Sequence, residues 1–191
     1  MNLPNRLTVL RIFLAPVFLA LLTIRFPGHF LLALLVFIAA SLTDLADGKI
    51  ARSRGLVTDF GKFLDPLADK MLTTAAFIGF IGLGFGCGIV WITMIVLTRE
   101  FLITSLRLTA AGSGRVIAAN IWGKAKTVCQ MAAIIATLVY YSVGDISALP
   151  GVFSDILHVL SVVLLWISAG MTVLSGAIYL KDNAGFINTN K

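Results

Sequence analysis

Four aspartates, Asp44, Asp47, Asp65 and Asp69, lie between two strongly apolar runs, and their type and spacing suit them to chemistry. Asp44 and Asp47 are three apart and Asp65 and Asp69 four apart, so on helices each pair stacks on one face, one turn above the other. Two such faces turned toward each other make a four-carboxylate pocket. Ionised carboxylates at close range repel strongly, and inside a folded protein they need protons or cations. Two divalent metals balance the four charges, and carboxylate oxygens are hard ligands suited to Mg²⁺ or Mn²⁺. Because Mg²⁺ usually completes its shell with water and substrate phosphates, the implied substrate is a phosphate or diphosphate. Gly48 follows one pair and Gly61 precedes the other, leaving room for a ligand or a second helix, while Arg52 can take phosphate oxygens that the metals leave free. The bland alternative is a set of helix-end aspartates bridged to Lys49, Arg52, Lys62 and Lys70. Such bridges require neither the glycines nor the alignment of both pairs.

The elements that must carry these residues are membrane helices. The chain is 59% hydrophobic and only 13% charged, with a mean hydropathy of +0.98, which excludes a soluble domain of ordinary composition. At 191 residues it reads as one all-α domain, 1–191, of six transmembrane helices joined by short loops. The expected spans are 7–24, a second from 30, a third from 71 to about 85, 89–110, 122–143 and 155–180. The first resembles a signal peptide in its basic start, but its long apolar run and the lack of a prompt small-x-small cleavage site favour a retained helix, with Pro4 at its start and Pro16 within it. The apolar parts of the second and third, 30–42 and 71–85, fall short of the ~20 residues that cross a bilayer. The missing turns are those that carry the aspartates. If each helix continues through its polar segment, the carboxylates sit at headgroup and upper acyl depth, where a lipid phosphate can meet them while its tails stay in hydrocarbon.

Charge placement orients the chain. With six spans, every Lys and Arg of the 15 except Arg25 falls on or nearest the side that holds the aspartates, and the positive-inside rule makes that side cytoplasmic. The net charge of +6 is thereby explained without a nucleic-acid partner. The protein is expected in the cell (inner or plasma) membrane with its active site facing the cytoplasm. Arg99, Glu100 and Arg107 sit inside the fourth span, where charge is costly and marks function or an internal ion pair. Lys124 and Lys126 open the fifth span about 200° apart on a helix, so Lys126 is taken as the inward one. The stretch 82–88, Gly-Leu-Gly-Phe-Gly-Cys-Gly, lacks charge and follows a helix, and reads as a tight connection rather than a phosphate loop. His29 and His158 read as surface or interface residues, and Cys87 and Cys129 imply neither a disulfide framework nor a zinc site.

The pattern Asp44-x-x-Asp47-Gly48-x-x-Ala51-Arg52, then residues 53–60, then Gly61-x-x-x-Asp65-x-x-x-Asp69 resembles the signature of the CDP-alcohol phosphotransferase family at every fixed position. That resemblance implies transfer to an acceptor hydroxyl from a CDP-linked lipid, with CMP leaving. By position in the motif, Asp44, Asp47, Asp65 and Asp69 are metal ligands, Asp69 the best candidate for the base and Asp65 a further catalytic residue, with Gly48, Ala51, Arg52 and Gly61 on the CDP-lipid. The opening Asn2-Leu3-Pro4-Asn5-x-Leu7-Thr8-x-x-Arg11, together with Arg99-Glu100-Phe101, Thr104, Arg107 and Gly123-Lys124-x-Lys126-Thr127, is similar to bacterial members that use CDP-diacylglycerol and sn-glycerol 3-phosphate. It places Asn5 and Thr8 on the CDP-lipid and Arg11, Arg99, Arg107, Lys124 and Lys126 on the acceptor. A dianionic acceptor calls for such a basic pocket. The resemblance also implies a homodimer, which small residues read as lipid-facing, Ala132, Ala133 and Ala136, could support.

Other readings stay open at this stage. Within the family the acceptor could be phosphatidylglycerol, as in a cardiolipin synthase, or inositol phosphate or serine. A prenyltransferase also uses paired aspartates on diphosphate. A small cation transporter would place its acidic site near the midplane between repeated halves, whereas here all four aspartates lie toward one face and no later acidic pair matches them.

Overall fold

Apolar surroundings leave a backbone no partner but itself, so a chain this hydrophobic must form helices or a closed barrel. It forms helices. The computed structural model describes residues 3–54, 59–112, 121–146 and 151–184, and side chains at 7–43, 67–68, 70–112, 121–145 and 151–184. Among the described residues every regular element is a helix: α1 (Leu3–Thr23), α2 (His29–Arg54), α3 (Asp59–Gly82), α4 (Ile89–Gly112), α5 (Ile121–Ile146) and α6 (Gly151–Asp182). The chain is an all-α membrane protein. By length and composition α4, most of α5 and α6 can each cross a bilayer, whereas α1, α2 and α3 contain shorter apolar stretches at Leu7–Thr23, His29–Thr43 and Lys70–Gly82.

Two of those short stretches belong to longer helices. α2 and α3 run without a break through the aspartate segment, and at 26 and 24 residues they rise about 39 and 36 Å, more than the ~30 Å hydrocarbon core. The backbone positions of all four aspartates are therefore helical. α1 begins at Leu3 and continues through Pro16. α6 begins at Gly151, a turn earlier than its apolar run starts in the sequence, and reaches 32 residues. The stretch 112–120, with Arg115, the remainder of the loop after α5 and the tail beyond 184 lie outside the described residues, apart from Gly112, which ends α4.

α1 packs on α2 and α3, α2 on α5, α5 on α6, and α4 on both α6 and α3. The helices thus form a ring in the order α1, α2, α5, α6, α4, α3, and a contact between α3 and α5 crosses its middle. Phe18, Leu22, Phe37, Phe77, Phe80, Ile134 and Leu138 fill the centre and are fully buried. α6 faces the bundle with a stripe of small residues, Ser161, Ser168, Ala169, Thr172, Ser175 and Gly176 among them. Small residues let helix backbones approach closely. Their hydroxyls bond back to the helix itself, as in Thr172 to the Ser168 carbonyl at 2.7 Å, so none needs water.

Two expectations change here. Ala133 is fully buried in the core while Ala132 is exposed, so Ala132, Ala133 and Ala136 do not form a common lipid-facing strip. His29 is buried rather than superficial: its Nδ1 lies 2.8 Å from the Leu21 carbonyl, capping the end of α1 across the turn. That turn is held from the other side by Asp145, whose Oδ2 accepts from the Gly28 amide at 2.8 Å. The glycine-rich stretch is the tight α3–α4 connection, with Gly84, Gly86, Cys87 and Gly88 all at positive φ. Trp166 of α6 donates to the Cys87 carbonyl at 3.1 Å, and a Cβ at Gly88 would meet its ring at 2.8 Å.

Candidate active site

The most unusual residue inside the bundle is Glu100, near the middle of α4. A carboxylate at that depth needs a counter-charge, and Glu100 has three. Lys126 of α5 pairs closely with its Oε1, Arg99 reaches the same oxygen at 3.2 Å, and Lys70 of α3 lies 3.6 Å from Oε2. The Lys126 side chain is 5% exposed and the Glu100 side chain 15%, so this pair is largely shielded, while Lys70 at 26% is the wettest member. The cluster ties α3, α4 and α5 together at the contact that divides the ring.

On one side of the cluster is a cleft of about 360 Å³ between α4, α5 and α6. It is lined by Lys70, Arg99, Arg107, Lys124 and Lys126 with Glu100 as the one carboxylate. Five cationic groups against one anionic group leave a strongly positive pocket, suited to a dianion. Lys126 is buried and Lys124 exposed, yet both reach this cleft. Arg107 stands at the exposed edge, with its Nε donating to the Tyr179 hydroxyl at 3.2 Å and its guanidinium carbon 5.7 Å from the centre of that ring. The Arg99 Nε is buried with no hydrogen-bond partner. Such a donor costs about 1–3 kcal/mol unless something in the cleft accepts from it.

On the other side is a second cleft of about 380 Å³, lined by Arg11 of α1, Ser41 of α2, Gln130 of α5 and the same Lys70, Glu100 and Lys126. Arg11 is 3% exposed and Thr8, one turn before it, 2%. The structure therefore brings Arg99, Arg107, Lys124 and Lys126 to one cleft and sets Arg11 behind the Glu100 cluster. The sequence marks Glu100 as a functional charge or an internal ion pair but assigns it no substrate, and it gives Lys70 and Tyr179 no site role. For the first two the signal was present: Glu100 as a lone acid among basic residues in an apolar span, Lys70 as the neighbour of Asp69. For Tyr179 there was none.

The side chains of Asn5, Asp44, Asp47, Gly48, Ala51, Arg52, Gly61, Asp65 and Asp69 lie outside the described residues. Among the described residues no three His, Cys, Asp or Glu side chains come together, so the four aspartates are the donor set to weigh. Their chemistry fits a hard divalent cation: all donors are carboxylate, and the two pairs occupy helix positions one turn apart on α2 and α3. Lys70, the residue after Asp69, links that set to both clefts.

A bilayer-embedded helical bundle with carboxylate-bearing helices beside a cationic cleft defines a membrane enzyme that handles phosphate esters. Residues 1–174 match the CDP-alcohol phosphatidyltransferase family, and the chain belongs to it. It is similar to the CDP-diacylglycerol–glycerol-3-phosphate 3-phosphatidyltransferase of Bacillus subtilis (strain 168), with 39% identity covering 99% of this chain and 98% of that one. A protein of the same name from Rickettsia bellii (strain RML369-C) is 35% identical over 94% of each chain.

The Glu100 cluster predicts a stability asymmetry. Glu100→Ala leaves Lys126 buried without its partner and lowers stability by about 3–5 kcal/mol, read as a large drop in the thermal midpoint in detergent. Pairing it with Lys126→Met recovers most of that loss. A single variant as stable as the parent would contradict the shielded pair.

Proposed function

We propose that this protein transfers the phosphatidyl group of CDP-diacylglycerol to sn-glycerol 3-phosphate, giving phosphatidylglycerophosphate and CMP. The observation that carries this reading is the cationic cleft: five basic side chains from three helices meet there, and one of them, Lys70, follows the last aspartate of the motif in sequence. The printed names of the relatives agree with it. A neutral acceptor such as serine or glycerol would find no use for that charge, which favours a phosphorylated one.

The two clefts separate the substrates. The acceptor phosphate occupies the α4–α5–α6 side, on Arg99, Arg107, Lys124 and Lys126. The CDP-lipid occupies the side toward α1 and α2, and the family motif assigns Asn5, Thr8, Gly48, Ala51, Arg52 and Gly61 to it. Arg11 shares a cleft with α2, so it fits the donor better than the acceptor. Asp44, Asp47, Asp65 and Asp69 would hold two divalent metal ions, Mg²⁺ or Mn²⁺, which would supply Lewis-acid polarisation of the phosphoryl group and offset the charge of departing CMP. An acceptor hydroxyl attacks the lipid-side phosphorus of the diphosphate, the new P–O bond forms as the bond to CMP breaks, and CMP leaves with the electron pair. Asp69 takes the hydroxyl proton. Lys70, which follows Asp69 in sequence and pairs with Glu100 at 3.6 Å, puts a positive charge on the wall of the acceptor cleft.

All six helices are read as spanning the membrane within one domain, 1–191, with the aspartate end in the cytoplasm and the protein in the cell membrane. The family resemblance adds a homodimer. Cysteines placed at Ser53 and Ser113, in a background lacking Cys87 and Cys129, are expected to react only with a reagent on the cytoplasmic side. Reaction of either from outside intact cells overturns the orientation.

Kinetics test the division of labour. Arg107→Ala raises the KM for glycerol 3-phosphate roughly tenfold to a hundredfold, the equivalent of one charged hydrogen bond, with the KM for CDP-diacylglycerol little changed. Asp69→Asn lowers kcat and leaves acceptor binding alone, because a base acts on the proton and not on the phosphate. Full turnover in excess chelator would remove the metals from the scheme.

A further inference from the structure

Two residues of α6 shape the cationic cleft, and both lie beyond residue 174, where the family match ends. We propose that Gly176 and Tyr179 are positioning residues that aim the guanidinium groups of Arg99 and Arg107 at one phosphomonoester, making α6 the specificity wall of the acceptor site. The proposal rests on the acceptor assignment given above and extends it to a helix that carries none of the aspartate motif.

Gly176 and Tyr179 are three apart, so they stand on one face of α6, and both are buried. An arginine has five N–H donors in a fixed fork. Tyr179 takes the Arg107 Nε–H at 3.2 Å and places its ring 5.7 Å from the guanidinium carbon. The side of the fork that faces away from Tyr179, with its terminal nitrogens, is the geometry for bidentate phosphate binding. A hydroxyl at this point sets the rotation of the plane; the ring sets its height.

Arg99 is placed by absence of bulk. Its Cγ lies 3.2 Å from where a Cβ at Gly176 would be, a contact tighter than side chains ordinarily make. Its terminal nitrogen also passes the backbone of α5, 3.8 Å from a Cβ built at Gly123. The chain of Arg99 therefore runs through a slot between two glycines, with one terminal nitrogen on Glu100 and its buried Nε without a partner. A phosphate oxygen supplies the acceptor that this N–H lacks. A Cβ at position 176 requires the Arg99 stem to shift by a few tenths of an ångström, which moves the fork it carries.

The test is steady-state kinetics on the full-length enzyme in mixed micelles with CDP-diacylglycerol. Tyr179→Phe keeps the ring and deletes the hydroxyl; it should raise the glycerol 3-phosphate KM about five- to tenfold, with kcat and the KM for CDP-diacylglycerol within about twofold. Gly176→Ala should raise the same KM. Gly170→Ala, in the same helix but with open space at its Cβ, should not. In an Arg107→Ala background Tyr179→Phe should have no further effect, since its target is gone. If Arg107→Ala raises the acceptor KM but Tyr179→Phe leaves it unchanged, or if Tyr179→Phe lowers kcat and shifts both KM values together, the α6 proposal is overturned and the acceptor site stands. If neither variant moves the acceptor KM, both fall.

Discussion

A carboxylate in the interior of a membrane bundle must be neutralised, and Glu100 is neutralised by three cations drawn from three helices. That requirement organises the molecule. Lys70 comes from the helix that carries Asp65 and Asp69, Arg99 from the same helix as Glu100, and Lys126 from the start of α5. Low dielectric makes each of these pairings stronger than at a water-exposed surface and makes the loss of any partner costly. The contact between α3 and α5 across the ring is therefore fixed by charge as well as by packing. Aromatic packing fixes the opposite end of the bundle, where Phe80, Phe85, Tyr140 and Tyr141 cluster.

The same cluster divides the ring into two clefts with a shared wall. A transferase for two substrates of like charge has to keep their phosphates apart until the reacting atoms meet. Here the wall itself is charged, with one negative group held among positive ones, so it can face an anion on either side. The bilayer does the rest: on the proposed reading the tails of the donor stay in hydrocarbon while its diphosphate meets the helix ends that extend beyond it.

Much of this was legible in the sequence, for physical reasons. A long apolar run has few structural options, so all six helices are readable even though three of the runs are shorter than a full span, and the ends of the helices differ mainly by a turn from the expected ones. The short apolar stretches before Asp44 and after Asp69 required α2 and α3 to continue through polar sequence, and they do. The basic residues of α4 and α5 were legible because charge in an apolar span must point inward. What periodicity could not give was partner choice: that Arg11 and Lys124, both basic and both near one membrane face, sort to different sides of a wall that Lys126 helps to build depends on how the ring closes. Nor could it give Tyr179. A tyrosine near the end of an apolar helix looks like an interfacial anchor until the helix is seen against Arg107. Ala133 was misread for the same reason, since a small residue in a span fits a lipid-facing seam and a buried core equally well.

The central claim is that the cationic cleft selects a phosphorylated acceptor for a CDP-lipid. The direct measurement is CMP release by the purified protein from CDP-diacylglycerol, with glycerol 3-phosphate compared against glycerol, serine and inositol phosphate under the same divalent-metal conditions. The account predicts rapid release with glycerol 3-phosphate and little with the unphosphorylated acceptors. Equal or faster release with glycerol or serine would contradict it, because the positive charge gathered around Glu100 would then have no part in choosing the substrate.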